Sequence, residues 1–401
     1  MDILGSLVGL WEESGFYNLF INFTTSGWQN IVMIIVACLL LFLGIAKRFE
    51  PLLLVGIAFG MLLTNLPNSG VYTPELWISE AATANGVDYG EVLRHGGLID
   101  ILYIGVKTGV YPSLIFIGVG AMTDFGPMLA RPSSLLLGSA AQLGIYIAFI
   151  GAITLCGFDA KVAASIGIIG GADGPTAIWL TKTLAPEYLG SIAIAAYSYM
   201  ALIPLIQPPI IRLLTTKKER LVRMDNPKQV SKATKIIFPI VVTIFVVLLL
   251  PSVAGLLGCL MFGNLLKECG VTDRLSDTAQ NALMNIVTLF LGISVGATAT
   301  AANFLKLETL MIVALGLVAF CCSTAGGVLF GKLMCKISKG KINPMIGAAG
   351  VSAVPMAARV VHNEGRRYDL DNHLLMHAMA PNVAGVIGSA VAAGLFMSLF
   401  G

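Results

Sequence analysis

Ile166-Gly167-Ile168-Ile169-Gly170-Gly171-Ala172-Asp173-Gly174-Pro175-Thr176-Ala177 is the stretch on which the reading of the chain turns. Glycine and proline interrupt it where a regular lipid-facing helix would need neither. It also has an echo: Ile346-Gly347-Ala348-Ala349-Gly350 repeats its first five positions in type, with Pro355 opposite Pro175 and Ala357 opposite Ala177. Working outward, Val119-Gly120-Ala121 recurs as Val295-Gly296-Ala297, and Leu137-Gly138 as Leu315-Gly316. Pro51 with Phe59-Gly60 recurs as Pro251 with Phe262-Gly263, and Pro204 falls opposite Pro381. Each match alone is weak, but their shared order and nearly constant offset indicate a duplicated chain.

The surroundings of these stretches set the solvent. Of 401 residues, 56% are hydrophobic and 12% are charged. A soluble domain carries about twice that charge. Runs such as Ile31 to Ala46, Ile236 to Leu250 and Val383 to Phe400 approach the roughly 20 apolar residues that cross a bilayer. They do not alternate as barrel strands do, so the expected fold is an all-α polytopic membrane protein. About ten transmembrane helices are expected, near 28–46, 51–66, 102–123, 133–154 and 189–212, then 235–250, 251–268, 282–304, 308–334 and 374–398. The polar, Gly-rich stretches 161–183 and 343–362 read as re-entrant hairpins or broken helices. The short pair 235–268 has one long kinked helix as its alternative reading.

Charge orients the spans. Lys47-Arg48, Arg131, the basic run from Lys217 to Lys235, the lysines between 332 and 341, and Arg366-Arg367 face one side if the N-terminus is outside. The acidic 75–100 loop then lies outside. Five full spans per copy is an odd number, so the copies are inverted. The expected organisation is an interfacial segment over 1–27, a first inverted repeat over 28–213, a basic cytoplasmic linker over 214–234, and a second repeat over 235–401. Inverted repeats with broken helices are the plan of secondary transporters, whose ion sites sit where the broken elements meet.

Asp173 is the residue that carries chemistry. A carboxylate within a membrane segment is costly and functional by default. Flanking glycines and Pro175 free backbone carbonyls, and carboxylate plus carbonyls make a hard-oxygen site suited to an alkali cation or a proton. Asp before Gly-Pro is also a good helix N-cap, and both roles can coexist. The second hairpin offers Asn343, Ser352 and Arg359 but no acid. For Asn343 a loop end, for Ser352 bonding back to its own helix, and for Arg359 snorkelling are the competing readings. Asn382, beside Pro381, is a candidate ligand or an inter-helix bond, and Tyr199 a candidate relay or a packing residue. His373 and His377 have ligand spacing without a third partner, and the seven cysteines form no cluster. No phosphate loop, nucleophile elbow or dinucleotide fingerprint is present, so ATP bound to this chain is not expected to supply the energy. The net charge of +3 says little about partners, and no nucleic-acid partner is expected.

At these residues a resemblance enters. Gly170-Gly171-Ala172-Asp173-Gly174-Pro175-Thr176-Ala177 resembles a signature of the β subunits of sodium-translocating, biotin-dependent decarboxylases acting on oxaloacetate, methylmalonyl-CoA or glutaconyl-CoA. The run Asn343-Pro344-Met345-Ile346-Gly347 through Pro355 resembles the second signature, and Gly120 to Pro127 and Ala380-Pro381-Asn382 also fit. The resemblance implies that the chain decarboxylates carboxybiotin carried on a partner, pumps Na+ outward across the bacterial cytoplasmic membrane and takes up a proton. It implies a biotin-carrying carboxyltransferase α subunit, a small single-span γ subunit and a trimer. It ties Asp173, Tyr199, Asn343, Gly347, Ser352, Arg359 and Asn382 to cation and proton handling. The expected Na+ ligands are Asp173, Asn343, Gly347, Ser352 and Asn382. Asp173, Tyr199 and Ser352 are expected to move the proton, and Arg359 to hold the carboxylate of carboxybiotin. The competing class is a stand-alone Na+/H+ antiporter or Na+-coupled carboxylate symporter on the same fold.

Overall fold

Helix order follows the hydropathy pattern closely. The structure, a computed structural model, describes residues 9–48, 50–78, 87–225 and 229–401. Parts of the N-terminal segment (1–8), of the acidic loop (79–86) and of the basic linker (226–228) therefore lie outside the described residues. All long elements are α-helices: α1 Trp28–Ile45, α2 Pro51–Thr64, α3 Leu98–Lys107, α4 Val110–Met122, α5 Ser134–Ala141 and α6 Leu143–Thr154. Next come α7 Ala160–Gly167, α8 Gly174–Leu184, α9 Leu189–Leu214, α10 Lys232–Leu249 and α11 Ala254–Glu268. The last are α12 Met284–Ala297, α13 Leu307–Ile337, α14 Met356–Tyr368 and α15 Leu375–Phe400. Among the described residues, six helical stretches are long and apolar enough to cross a bilayer, and up to eight if two bent pairs count as single spans. α2 and the α7 region are shorter apolar helices.

The departures from the expected boundaries have local causes. The span expected at 102–123 is two helices, broken where Gly109 takes φ +82°. The pair expected at 235–250 and 251–268 is, as expected, two helices, joined by a short turn at Pro251–Val253. α1 and α10 are apolar all round and expose large side chains such as Phe42, Phe245 and Leu248 to the surroundings, as lipid-facing helices do.

Two compact units emerge from the chain. The first contains residues 1–111, 187–194 and 285–311. In it α2 meets α12 backbone to backbone: a Cβ on Gly60 would sit 2.1 Å from the Ile293 carbonyl, and one on Gly296 2.0 Å from the Ile57 carbonyl. Only glycine permits that approach. Asn65 pins the same contact, donating to the Ala299 carbonyl and accepting from the Ala301 amide. Asp100 is buried but fully used, accepting from Thr73 N, Gly97 N and Trp77 Nε1.

The second unit contains residues 112–186, 195–284 and 312–401. Here α4 meets α11 in the same way. A Cβ on Gly120 would lie 1.9 Å from the Leu260 carbonyl, and one on Gly263 1.9 Å from the Ile117 carbonyl. Asn264 donates to the carbonyls of Gly120 and Thr123. This unit also holds both glycine-rich stretches. α7 runs into a 3-10 turn at Ile168–Gly171 and chain continues into α8 after Ala172 and Asp173. The second stretch is a 3-10 turn at Pro344–Gly350, extended backbone, then α14.

Candidate cation site between the two broken elements

Ala172 adopts φ 53°, a left-handed conformation that turns the chain between the 3-10 turn and α8. A residue with a Cβ pays for this conformation, and such residues gather at functional sites. The turn brings Asp173 to the N-cap of α8, with Oδ1 accepting from Thr176 N at 3.2 Å. Capping and a chemical role therefore coexist, because the second oxygen looks elsewhere. Asp173 Oδ2 lies 2.6 Å from Ser389 Oγ on α15. Ser389 Oγ is also 3.0 Å from the Val386 carbonyl. A hydroxyl has one hydrogen, so two arrangements fit. Either Asp173 is ionised and Ser389 donates to it, or Asp173 is protonated and donates to Ser389, which then donates to Val386.

The two broken elements touch directly at this point. Ser352 N donates to the Gly171 carbonyl at 2.8 Å, and Ser352 Oγ donates to the Gly385 carbonyl at 2.8 Å. Asn382 donates Nδ2 to the carbonyls of Ala349 and Val351, at 2.9 and 2.7 Å, and its Oδ1 is buried without a donor. Asn382, Gly385 and Ser389 are spaced three and four apart, so they share one face of α15. Pro381 before them removes one N–H from the helix, and glycine at 385 admits the Gly350 carbonyl to van der Waals range. Asp173, Ser352 and Asn382 are thus gathered around α15 and the two turns.

The remaining expected residues stand elsewhere. Asn343 N-caps the second 3-10 turn: its Oδ1 accepts from Met345 N, and its Nδ2 donates to the carbonyls of Arg220 and Val222 in the basic linker. Gly347 packs against α13, where a Cβ would fall 1.9 Å from the Gly327 carbonyl. Tyr199, on α9, is buried against α13, its hydroxyl donating to the Val313 carbonyl. Arg359 is exposed on α14, with no ion pair among the described residues.

Three residues near Asp173 escaped the sequence reading. Ser389 sits among alanines and glycines, where a serine passes for a small packing residue; its spacing from Asn382 was the available signal. Tyr197 is two residues from Tyr199 and so on the far side of α9. Its ring fills the space above Gly174, where a Cβ would lie 2.2 Å from Cε1, and its hydroxyl is buried without a partner. Gln142, an amide in the apolar run at the α5–α6 break, is buried, and its Nε2 donates to the carbonyls of Gly138, Gly350 and Gly385.

The arrangement suits a hard monovalent cation. Carboxylate, hydroxyl, amide oxygen and backbone carbonyl are all oxygen donors, the set that Na+ or a proton uses. Among the described residues no cluster of three His, Cys, Asp or Glu is positioned to bind a metal ion. The buried Asn382 Oδ1 without a donor costs energy that a cation would return.

Comparison with known proteins gives a consistent answer. The family model for the Na+-transporting oxaloacetate decarboxylase beta subunit matches residues 29–400. The chain is 57% identical to methylmalonyl-CoA decarboxylase subunit beta of Propionigenium modestum, over 100% of both chains. It is 54% identical to glutaconyl-CoA decarboxylase subunit beta of Acidaminococcus fermentans, over 99% of this chain and 98% of that one. It is 53% identical to the oxaloacetate decarboxylase beta chain of Klebsiella pneumoniae, over 92% and 95%.

Proposed function

The chain belongs to the β-subunit family of Na+-transporting decarboxylases, and from that premise we propose that it decarboxylates carboxybiotin presented by a partner subunit and couples the reaction to outward Na+ movement with uptake of one proton. The observation that carries the reading is Asp173, buried at a helix N-cap where both broken elements and α15 converge.

Na+, the transported ion, is bound by the Asp173 carboxylate with Asn382 Oδ1 and Ser352, and displaces the proton that the carboxyl group otherwise holds. Ser389 follows the exchange, because its hydroxyl turns between Asp173 and Val386 as the carboxyl group ionises. The released proton travels by Ser352 and Tyr199 and is taken by the ureido nitrogen of biotin as CO2 leaves, so one N–C bond breaks and one N–H bond forms. Arg359, exposed and unpaired among the described residues, holds the carboxylate of carboxybiotin by a charge-assisted contact. Asn343 and Gly347 serve the site through the hairpin they anchor, one to the basic linker and one to α13.

The same reading assigns two inverted repeats, 28–213 and 235–401, with the N-terminus outside the cytoplasmic membrane. Supporting it, α2 on α12 and α4 on α11 use equivalent glycines, and Asn65 and Asn264 donate to Ala299 and Thr123, equivalent positions of the two copies. A biotin-carrying carboxyltransferase α subunit, a single-span γ subunit and a trimeric assembly complete the proposal.

The test is decay of free carboxybiotin on the purified chain. Decay is expected only with Na+ present and is expected to be lost in Asp173→Asn. Fast decay without Na+ would remove the coupling claim. Na+/H+ exchange by the lone chain in vesicles, without carboxybiotin, would support a secondary transporter instead.

A further inference from the structure

Gln142 is 4% exposed, and its amide is clamped at one end only. Nε2 donates to Gly138 O at 3.3 Å, Gly350 O at 3.2 Å and Gly385 O at 3.4 Å. Two hydrogens facing three carbonyls saturate that end, and the reversed amide would set an oxygen against three oxygens. The orientation is therefore determined, and Oε1 is left buried with no donor. Two other amides hold the second broken element in the same manner. Asn382 grips the Ala349 and Val351 carbonyls, and Gln207 donates to Ala348 O at 2.8 Å with its own Oε1 unpartnered.

What singles out Gln142 is where its oxygen points. A Cβ on Gly171 would fall 3.2 Å from Gln142 Oε1 and 3.3 Å from Ser389 Cβ. Oε1 thus faces the turn that presents Asp173 and the residue that bonds its carboxylate. We infer that Gln142 is a specificity-determining ligand of the transported cation and that its amide couples cation binding to the second broken element. This rests on the reading of Asp173 as the cation site. A cation on Oε1 draws electron density along the amide and strengthens the Nε2 bonds to Gly350 and Gly385. A neutral oxygen also favours Na+ over a proton, because an amide oxygen competes poorly for H+ at neutral pH. Glycine at 171, 385 and 388 keeps room for the side chain, since a Cβ on Gly388 would lie 3.1 Å from Gln142 Cγ.

The experiment follows thermal unfolding of the purified full chain as Na+, Li+ or K+ replaces choline at constant ionic strength. Gln142→Met, similar in length and without oxygen, is expected to raise the Na+ concentration for half-maximal protection about tenfold, the worth of one lost buried polar contact. It is also expected to narrow the preference for Na+ over K+. Asp173→Asn is the reference and is expected to lose Na+ protection. An unchanged half-point in Gln142→Met, with protection lost in Asp173→Asn, overturns the role of Gln142 and leaves the site reading intact. Protection unchanged in both variants overturns both. Should Gln142→Met not yield monodisperse protein, Gln142→Leu removes the same oxygen. A half-point raised about tenfold in Gln142→Leu then supports the inference, and an unchanged half-point overturns it.

Discussion

Ser389 shows how one hydroxyl can report the state of a carboxyl group. Its Oγ lies 2.6 Å from Asp173 Oδ2 and donates to that oxygen when the carboxyl group is ionised. In Ser389→Ala, the ionised carboxylate loses that donor in a dry site. We expect the Na+ half-point for carboxybiotin decay to rise about 5- to 30-fold, equivalent to roughly 1–2 kcal/mol. An unchanged half-point would separate Ser389 from the cation. The neighbouring tyrosines give a second contrast. Tyr199→Phe removes the hydroxyl donated to the Val313 carbonyl and is expected to cost about 1 kcal/mol of stability. Tyr197→Phe removes a hydroxyl that has no partner and is expected to leave stability unchanged or slightly raised. Thermal unfolding of the two variants under one condition reads the difference.

Elements in this protein meet through bare backbone. In a bilayer apolar side chains gain nothing by leaving lipid, so close packing and interhelical hydrogen bonds carry association. At Gly120 and Gly263 an added Cβ would stand 1.9 Å from a carbonyl of the facing helix, which cannot retreat without moving the helix. We expect Gly120→Ala and Gly263→Ala each to cost about 1–3 kcal/mol, the range of an overpacked core. Gly258→Ala on α11 meets nothing within 4 Å and is expected to be neutral or mildly stabilising through helix propensity. Equal melting temperatures for all three would show that the close approach does not hold these helices. The basic linker is bound just as specifically. Arg220 stacks on Tyr368 while donating to Thr215, and Asn343 of the second hairpin donates to the Arg220 and Val222 carbonyls. Residues 214–234 read as a basic cytoplasmic linker, and its start is pinned to α14 and to the second hairpin.

At the scale of the whole molecule the proposed duplication makes a topological prediction. With inverted copies, the first broken element enters from outside and the second from the cytoplasm. On a background without the seven native cysteines, Lys161→Cys and Lys341→Cys should react with an impermeant thiol reagent from opposite sides. Both positions are exposed, so accessibility does not bias the comparison. Labelling from one side would end the inverted-repeat proposal while leaving family membership untouched. Coupling also belongs to this scale. Asp173 and Arg359 lie on different broken elements joined by the Ser352–Gly171 bond, so one motion can serve both.

The sequence by itself determined the solvent, the helices and one residue. Apolar runs can satisfy their backbone in lipid only as helices, so their positions are readable without any tertiary knowledge. Asp173 was readable because a carboxylate among such runs is expensive wherever the chain goes. Ser352 and Asn382 were readable as polar atoms beside helix-breaking residues. Only the tertiary structure decided which of these polar atoms converge, since that depends on how the distant turns at Ile168–Gly171 and Pro344–Gly350 are held against one helix. Asn343 carries the same chemistry as Asn382, yet its amide is spent on the linker, while that of Asn382 leaves an oxygen bare. Gln142, Ser389 and Tyr197 gave weak signals because an isolated amide, serine or tyrosine in an apolar helix has many uses. Packing chose among those uses: a buried amide must satisfy its nitrogen first, and the carbonyls of the second broken element set where its oxygen is left to point.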